Sequence, residues 1–374
     1  MKTLIAKLDD TTYAKLQKLK EDKYPDKDWS EFFAYLCKDV KLTELSGDLI
    51  SRATKENLME MWVKNFSETL SYIKKGKTIA ELVPPNPEKA PLGPAIVVGA
   101  GPSVWKHKHL EMLAKTDKAK KLTVIPTDRM VAPCLKAGVT PDKFAEWISV
   151  GVDGSPVISK WYDDPIVKEY GDKIKVCIIT STHPKVVKVL RKNKVKNVYW
   201  YNPIYDDWRD NESYTRLQRI MTKSQKTPQG IPSLSCLGNA GAASWVLGHA
   251  LLRKSPICLL GIDFGYEEGT PLEKTQYFSG FMETAHGNVE LVKTAYKTYY
   301  NPYWKCKAIT DPVFDHYRNA FLDSVKQTPS FVETYNCTEG GCIFGDGIPC
   351  MMFEDFLKYC DNPEELRKHV LKAD

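Results

Sequence analysis

Six short apolar runs that close around Gly, Asp, Asn or Thr constrain the fold of this chain more than any other feature. They are AIVVGA, LTVIPTD, FAEWISVGVDG, IKVCIITST, NVYWYNP and SPICLLGID. Runs of Val and Ile without in-out alternation suit strands covered on both faces, and the helical stretches between them suit βαβ crossovers. The expected fold class is α/β: a doubly wound, mostly parallel Rossmann-like sheet. In such a sheet a ligand sits beyond the carboxyl ends of the strands, at a topological switch point, so the run-ending residues are the ones to interrogate.

A chain of 374 residues suits one large α/β domain with appended segments. Residues 94–374 read as that nucleotide-binding domain. Residues 1–45 read as a small strand-helix-helix module: TLIAKL, then Asp9 and Asp10 capping TTYAKLQKLKEDK, then Asp28 and Ser30 opening SEFFAYLCKDV. This pattern resembles a ribbon-helix-helix, which makes the module a candidate for self-association or DNA reading, with a plain helical cap as the simpler reading. Residues 46–93 form a helical segment and a strap. Leu58, Met61, Trp62, Phe66, Leu70 and Ile73 recur at helical spacing and predict an amphipathic helical pair ending near Gly76. VPPNPEKAPLGP, with five prolines in twelve residues, then marks a boundary.

The net charge of +6 is compatible with an anionic ligand, but no single run is basic enough for a nucleic-acid arm, so a nucleic-acid partner is disfavoured. Ten cysteines carry no CxxC pair, and the spacing of Cys337, Cys342 and Cys350 does not fit zinc. Reduced thiols imply a cytoplasmic setting. The N-terminus has charges where a signal peptide needs its apolar core, and the uncharged Ile231 to Leu252 stretch is rich in Ser, Gly and Asn. It reads as a buried loop and helix, so no membrane span is expected.

The first strand end is Gly99-Ala100-Gly101-Pro102-Ser103, a Gly-x-Gly turn opening a helix, where amides favour a phosphate. Val104 replaces the third glycine of a dinucleotide fingerprint and Pro102 removes an amide donor, which disfavours NAD or FAD and with them a dehydrogenase. Asp128 and Asp153 end the next two runs. They suit a ribose hydroxyl or, as a pair, Mg²⁺ against phosphates, while capping and turn formation are the plain alternative. In STHP, Ser181 and Thr182 precede His183 on a turn, where it is a candidate acid or base. Gly238-Asn239-Ala240-Gly241 opens a helix of small residues, and Asp263 ends the ICLLGID strand; both suit a nucleotide crevice. Asn336, Thr338, Glu339 and Gly340 crowd polar and flexible groups into one block, a candidate acceptor-side wall or a simple turn.

In this order, VVGAGPS, TDRMVAPCLKAGVTPDKF, VGVDGS, STHPKV, GNAGAASWVLGHALL, ICLLGIDFGY and YNCTEGGCIFG resemble the MptE-like superfamily. That superfamily holds the archaeal 6-hydroxymethylpterin diphosphokinases and the Maf-type motility accessory factors. The resemblance runs from about Ala95 to Phe356, and the preceding helical stretch is similar to the Maf branch. The Maf branch implies a glycosyltransferase using a CMP-activated nonulosonic (sialic-acid-like) sugar. It would place the nucleotide against Gly99, Gly101, Pro102, Ser103, Asp128, Gly238, Asn239, Gly241 and Asp263. His183, His286, His316 or Asp153 would serve catalysis toward a protein or glycan acceptor. The diphosphokinase branch implies ATP and Mg²⁺ on Asp128 and Asp153, with pyrophosphoryl transfer to a hydroxymethyl-pterin. VGVDGS has one Asp where that branch tends to have a second acidic residue just before it, and STHP stands where it tends to have a His-Gly-Asp cluster, so the expectation leans to the sugar donor. A non-catalytic nucleotide-binding or DNA-binding regulator is the remaining alternative.

Overall fold

A computed structural model describes residues 10–23, 25–26, 28–29, 31–32, 42–345 and 347–373. The chain divides into two compact units, residues 1–54 and 55–374. In the first, Asp10–Lys23 is helical. The strand and most of the second helix expected for residues 1–45 lie outside the described residues.

Among its described residues the second unit has twelve strands in chain order: β1 (Lys77–Thr78), β2 (Ala95–Val98), β3 (Thr123–Pro126), β4 (Glu146–Gly151), β5 (Lys175–Ile179), β6 (Asn197–Pro203), β7 (Ser233–Leu234), β8 (Ile257–Leu260), β9 (Tyr266–Glu267), β10 (Lys297–Asn301), β11 (Cys306–Thr310) and β12 (Thr334–Asn336). The main sheet runs β1-β6-β5-β4-β3-β2-β8-β12, with β7 beside β6, and its pairings are parallel. The α/β doubly wound expectation holds. All six apolar runs are strands, and every residue of β2, β3 and β8 is buried. Because side chains alternate across a strand, Ile96 and Val98 join one apolar cluster and Ala95 and Val97 the other. Two cores, one on each face, explain why these runs show no polar alternation.

Chain order reverses at β2, whose neighbours are β3 on one side and β8 on the other. The topological switch point therefore lies between the turns after β2 and β8.

Two expectations change. The helical pair before the strap is one helix, Leu42–Lys75, because no proline interrupts it. The amide of Asn65 on this helix donates to the carbonyls of Gly154 and Ser181, at 2.8 and 3.0 Å, so the helix covers the carboxyl ends of β4 and β5. Also, the sequence between β8 and β12 contains an insertion: a three-stranded antiparallel sheet in the order β10-β11-β9, with two short helices, Phe278–Thr284 and Val289–Ala295. Its strands are short and partly exposed, so they leave no long apolar run in the sequence. Among the described residues no helix is long and apolar enough to cross a membrane, and the nine described cysteines are free thiols.

Candidate functional site

The turns after β2 and β8 touch directly. The Gly99 amide donates to Leu260 and the Gly101 amide to Gly261, both at 2.8 Å. A Cβ on Gly101 would lie 1.8 Å from Asp263 Oδ2 and 2.8 Å from the Gly261 carbonyl; one on Gly99 would lie 2.4 Å from that carbonyl. These glycines are required by the approach of one chain segment to another, with or without a ligand. Val104 is fully buried in the core, the packing role that removed it from the dinucleotide pattern.

Asp263 is the hinge of the site. It is 4% exposed, and one oxygen accepts the Ser103 amide at 3.3 Å, so a carboxylate already occupies the start of helix Ser103–Lys106. The other oxygen is buried without a hydrogen-bond partner in the protein. Burial raises its carboxyl to about 6 against the opposing pull of Ser103 and His109. An incompletely satisfied buried carboxylate is costly, which makes Asp263 a candidate functional position.

Two cavities meet at this residue. The smaller, about 270 Å³, is lined by Gly99, Gly101, Asp128, Asn239 and Gly241 among others; the larger, about 680 Å³, by Ser103, Lys106, His107, Glu339 and Gly340 together with the insertion. Pro102 and Asp263 line both. Seven of the nine residues expected to hold a nucleotide thus share one lined space, Ser103 faces the other, and Gly238 packs against the ring of Tyr317. Asn239 caps helix Ala240–Val246 by accepting the Ala242 amide at 2.9 Å, a role it fills with or without a ligand.

Asp128 is buried, and its carboxyl is raised to about 7 by burial and by the nearby charge of Asp153. One oxygen of Asp128 accepts the Arg129 amide and one of Asp153 accepts the Ser155 amide, both at 2.7 Å. Asp128 lines the smaller cavity from the end of β3, whereas Asp153, beyond the end of β4, is exposed and lines neither cavity. Among the described residues no group of three or more His, Cys, Asp or Glu is placed to hold a metal.

The three histidines expected to act in catalysis line neither cavity. His183 caps helix Pro184–Lys192 through Nδ1, 3.1 Å from the Lys185 amide, at a strand end covered by the Asn65 helix. Burial lowers its pKa. His286 is an exposed turn residue with φ +49° in the insertion. His316 lies on helix Pro312–Lys326 with its ring 6.0 Å from that of Tyr317. In the acceptor-side block, Asn336 and Thr338 are buried and hold the turn, Asn336 Oδ1 accepting the Thr338 amide at 2.9 Å. Glu339 and Gly340 line the larger cavity.

Sequence reading missed the groups nearest Glu339. His107 Nδ1 lies 3.5 Å from one of its oxygens and His109 Nε2 3.5 Å from the other. Their single-residue separation looks random in the sequence. Lys108 in the left-handed conformation at φ +54° turns the chain so that the two rings stack at 5.4 Å. The insertion walls the same cavity with Tyr266, Trp304 and Cys306.

The family model for 6-hydroxymethylpterin diphosphokinase MptE-like proteins matches residues 64–269, more than half of the chain. The chain belongs to the MptE-like family. The match covers both turns of the switch point and stops just after β9, the first strand of the insertion. The solved structure of the MAf glycosyltransferase from Magnetospirillum magneticum AMB-1 is similar at a TM-score of 0.46 and 12% identity, over 75% of this chain and 38% of that one. The chain thus spans well under half the length of that protein. No curated protein matches it.

Proposed function

We propose that this MptE-like protein is a glycosyltransferase that takes a CMP-activated nonulosonic sugar as donor. One observation carries the proposal: the Gly99–Gly101 turn, Asp128 and the Asn239–Gly241 helix start line one cavity at the switch point, where doubly wound sheets take nucleotides. Asp128, at the end of the strand next to β2, stands where a carboxylate meets ribose hydroxyls. The larger cavity on the far side of Asp263 takes the acceptor, a protein or glycan hydroxyl. Transfer would then occur at the Asp263 junction. Catalysis there would rest on positioning two substrates across a shared wall and on stabilising the departing phosphate.

The Asp128–Asp153 pair supports a second reading, pyrophosphoryl transfer from ATP to a hydroxymethyl-pterin. Mg²⁺ is usually held by one or two carboxylates plus the substrate's phosphates, and this pair fits that donor set. When bound, the ion would neutralise charge on the transferred phosphoryl oxygens. Asp128 and Asp153 would hold it, and the turns after β2 and β8 would position the nucleotide.

Thermal shift with CMP and with ATP, each with and without Mg²⁺, separates the two. Metal-independent stabilisation by CMP supports the sugar transferase, whereas stabilisation by ATP that needs Mg²⁺ replaces it with the kinase. No response to either nucleotide defeats both.

A further inference from the structure

The histidine pair beside Glu339 belongs to no expected site, yet it forms one wall of the larger cavity. His109 is fully buried, its two nitrogens lack hydrogen-bond partners in the protein, and its ring meets Phe353 edge-on at 5.3 Å. Its nearest ionic neighbour is Glu339 Oε1, which also accepts the Phe353 amide at 3.0 Å. Glu339 Oε2 faces His107 Nδ1, and the His107 side chain is 28% exposed. The carboxylate therefore bridges one sealed and one accessible imidazole. Two non-glycine residues in left-handed backbone, Lys108 at φ +54° and Glu339 at φ +56°, hold the arrangement. Strain of this kind is kept where surrounding structure over-determines it, and it clusters at working sites.

Building on the transferase reading above, we propose that His107 is the catalytic base for the acceptor hydroxyl in the larger cavity, with Glu339 and His109 as its positioning residues. A proton on Nδ1, facing Glu339, leaves Nε2 as the accepting nitrogen, and the carboxylate stabilises the imidazolium that forms. The acceptor hydroxyl gives its proton to His107 Nε2 while its oxygen bonds to the transferred group. The bond from that group to the nucleotide phosphate oxygen breaks, the electron pair leaving on the phosphate. His107 then returns the proton to solvent.

The charged surroundings agree with this role. Burial lowers the His107 pKa, Glu339 and Glu267 raise it, and His109 and Lys106 lower it, so the ring is held in its neutral, proton-accepting form near pH 7. Partial burial alone would raise the Glu339 pKa, but His109, the Phe353 amide and His107 bring it below the usual value and keep it ionised. Lys106 is itself paired with Glu267 at 2.9 Å, which leaves His107 as the accessible group next to the carboxylate.

The test compares wild type, His107→Gln and Glu339→Gln. Nucleotide binding is read by thermal shift with CMP and with ATP and Mg²⁺. Turnover is read as nucleotide release from CMP-N-acetylneuraminic acid and from ATP with Mg²⁺, between pH 5 and 9. The expected result is an unchanged nucleotide shift in His107→Gln with release slowed about 100-fold, within the usual range for a lost general base. Glu339→Gln keeps an acceptor for the Phe353 amide; because Glu339 raises the His107 pKa, removing its charge should move the acid limb of the pH profile to lower pH. A purely structural role would not move that limb. Release within threefold of wild type in His107→Gln, or an unmoved acid limb in Glu339→Gln, overturns the proposal. Binding by wild type without release from either donor also counts against it. Absence of nucleotide binding in wild type defeats the transferase reading instead, and the base assignment with it.

Discussion

At the scale of single residues, the site is defined by what is buried against expectation. Asp128 holds its proton in the folded protein up to about pH 7, whereas the unfolded chain loses it near the usual carboxylate value of 3.8. The folded state therefore binds more protons across that window, and this contribution to stability falls as pH rises from about 4 to 7. The full effect is on the order of 4 kcal/mol, because a tenfold change in proton affinity corresponds to roughly 1.4 kcal/mol. Asp128→Asn removes it, so the melting temperature of the variant should gain on wild type between pH 4.5 and 7 and level off above that. A constant difference across that range would show that Asp128 titrates normally. Gly101 makes a complementary point. Gly101→Ala puts a methyl group into Asp263 and the Gly261 backbone, and overpacking of this kind costs about 1 to 3 kcal/mol. Denaturant unfolding should show that loss, accompanied by weaker nucleotide binding as the two turns are forced apart.

At the scale of elements, polar side chains tie the insertion to the helix after it. Tyr266 on β9 donates to Asp311 Oδ2 at 2.9 Å, while Asp311 Oδ1 caps helix Pro312–Lys326 by accepting the Val313 and Phe314 amides at 2.9 Å. From β10, Lys297 and Tyr299 both reach Asp315, at 2.6 and 2.7 Å, and the Asn301 amide reaches the Gly341 carbonyl at 3.1 Å. The wall of the larger cavity is thus tied to the turn that carries Glu339. Asp311→Ala removes a double cap and the tyrosine's acceptor together. It should cost about 2 kcal/mol, the upper end for a lost cap, and should speed hydrogen exchange in residues 266–310 more than in β2 or β3. Equal acceleration in all of these would place the tether elsewhere.

At the scale of the whole molecule, the buried sheet should protect its thiols. Burial pushes the Cys134, Cys177 and Cys258 thiols well above their usual range, while Cys306 is only half-buried at the cavity. Iodoacetamide labelling of the folded protein followed by mass spectrometry should mark Cys306 well before those three, and early labelling of Cys177 would contradict the packing around β5. The same burial explains what could be read in advance. Strands covered on both faces must be continuously apolar, so β2, β3, β4, β5, β6 and β8 announce themselves locally. The insertion strands, half-exposed and held by Tyr266, Lys297 and Tyr299, carry no such run and stayed hidden.

The sequence by itself determined the parallel α/β sheet, the strand-end turns and the helix start at Gly238–Gly241, because each depends on neighbours along the chain. Only the tertiary structure decided that the crossing at β2 and β8 sets Asp263 between two cavities. It also gathered His107, His109 and Glu339 at one wall and kept His183 from both cavities under the Asn65 helix. Glu339 meets the histidines only because β12 returns beside β8, more than two hundred residues beyond them in the chain. Contacts of that range are set by sheet order and backbone turns, which local pattern does not encode.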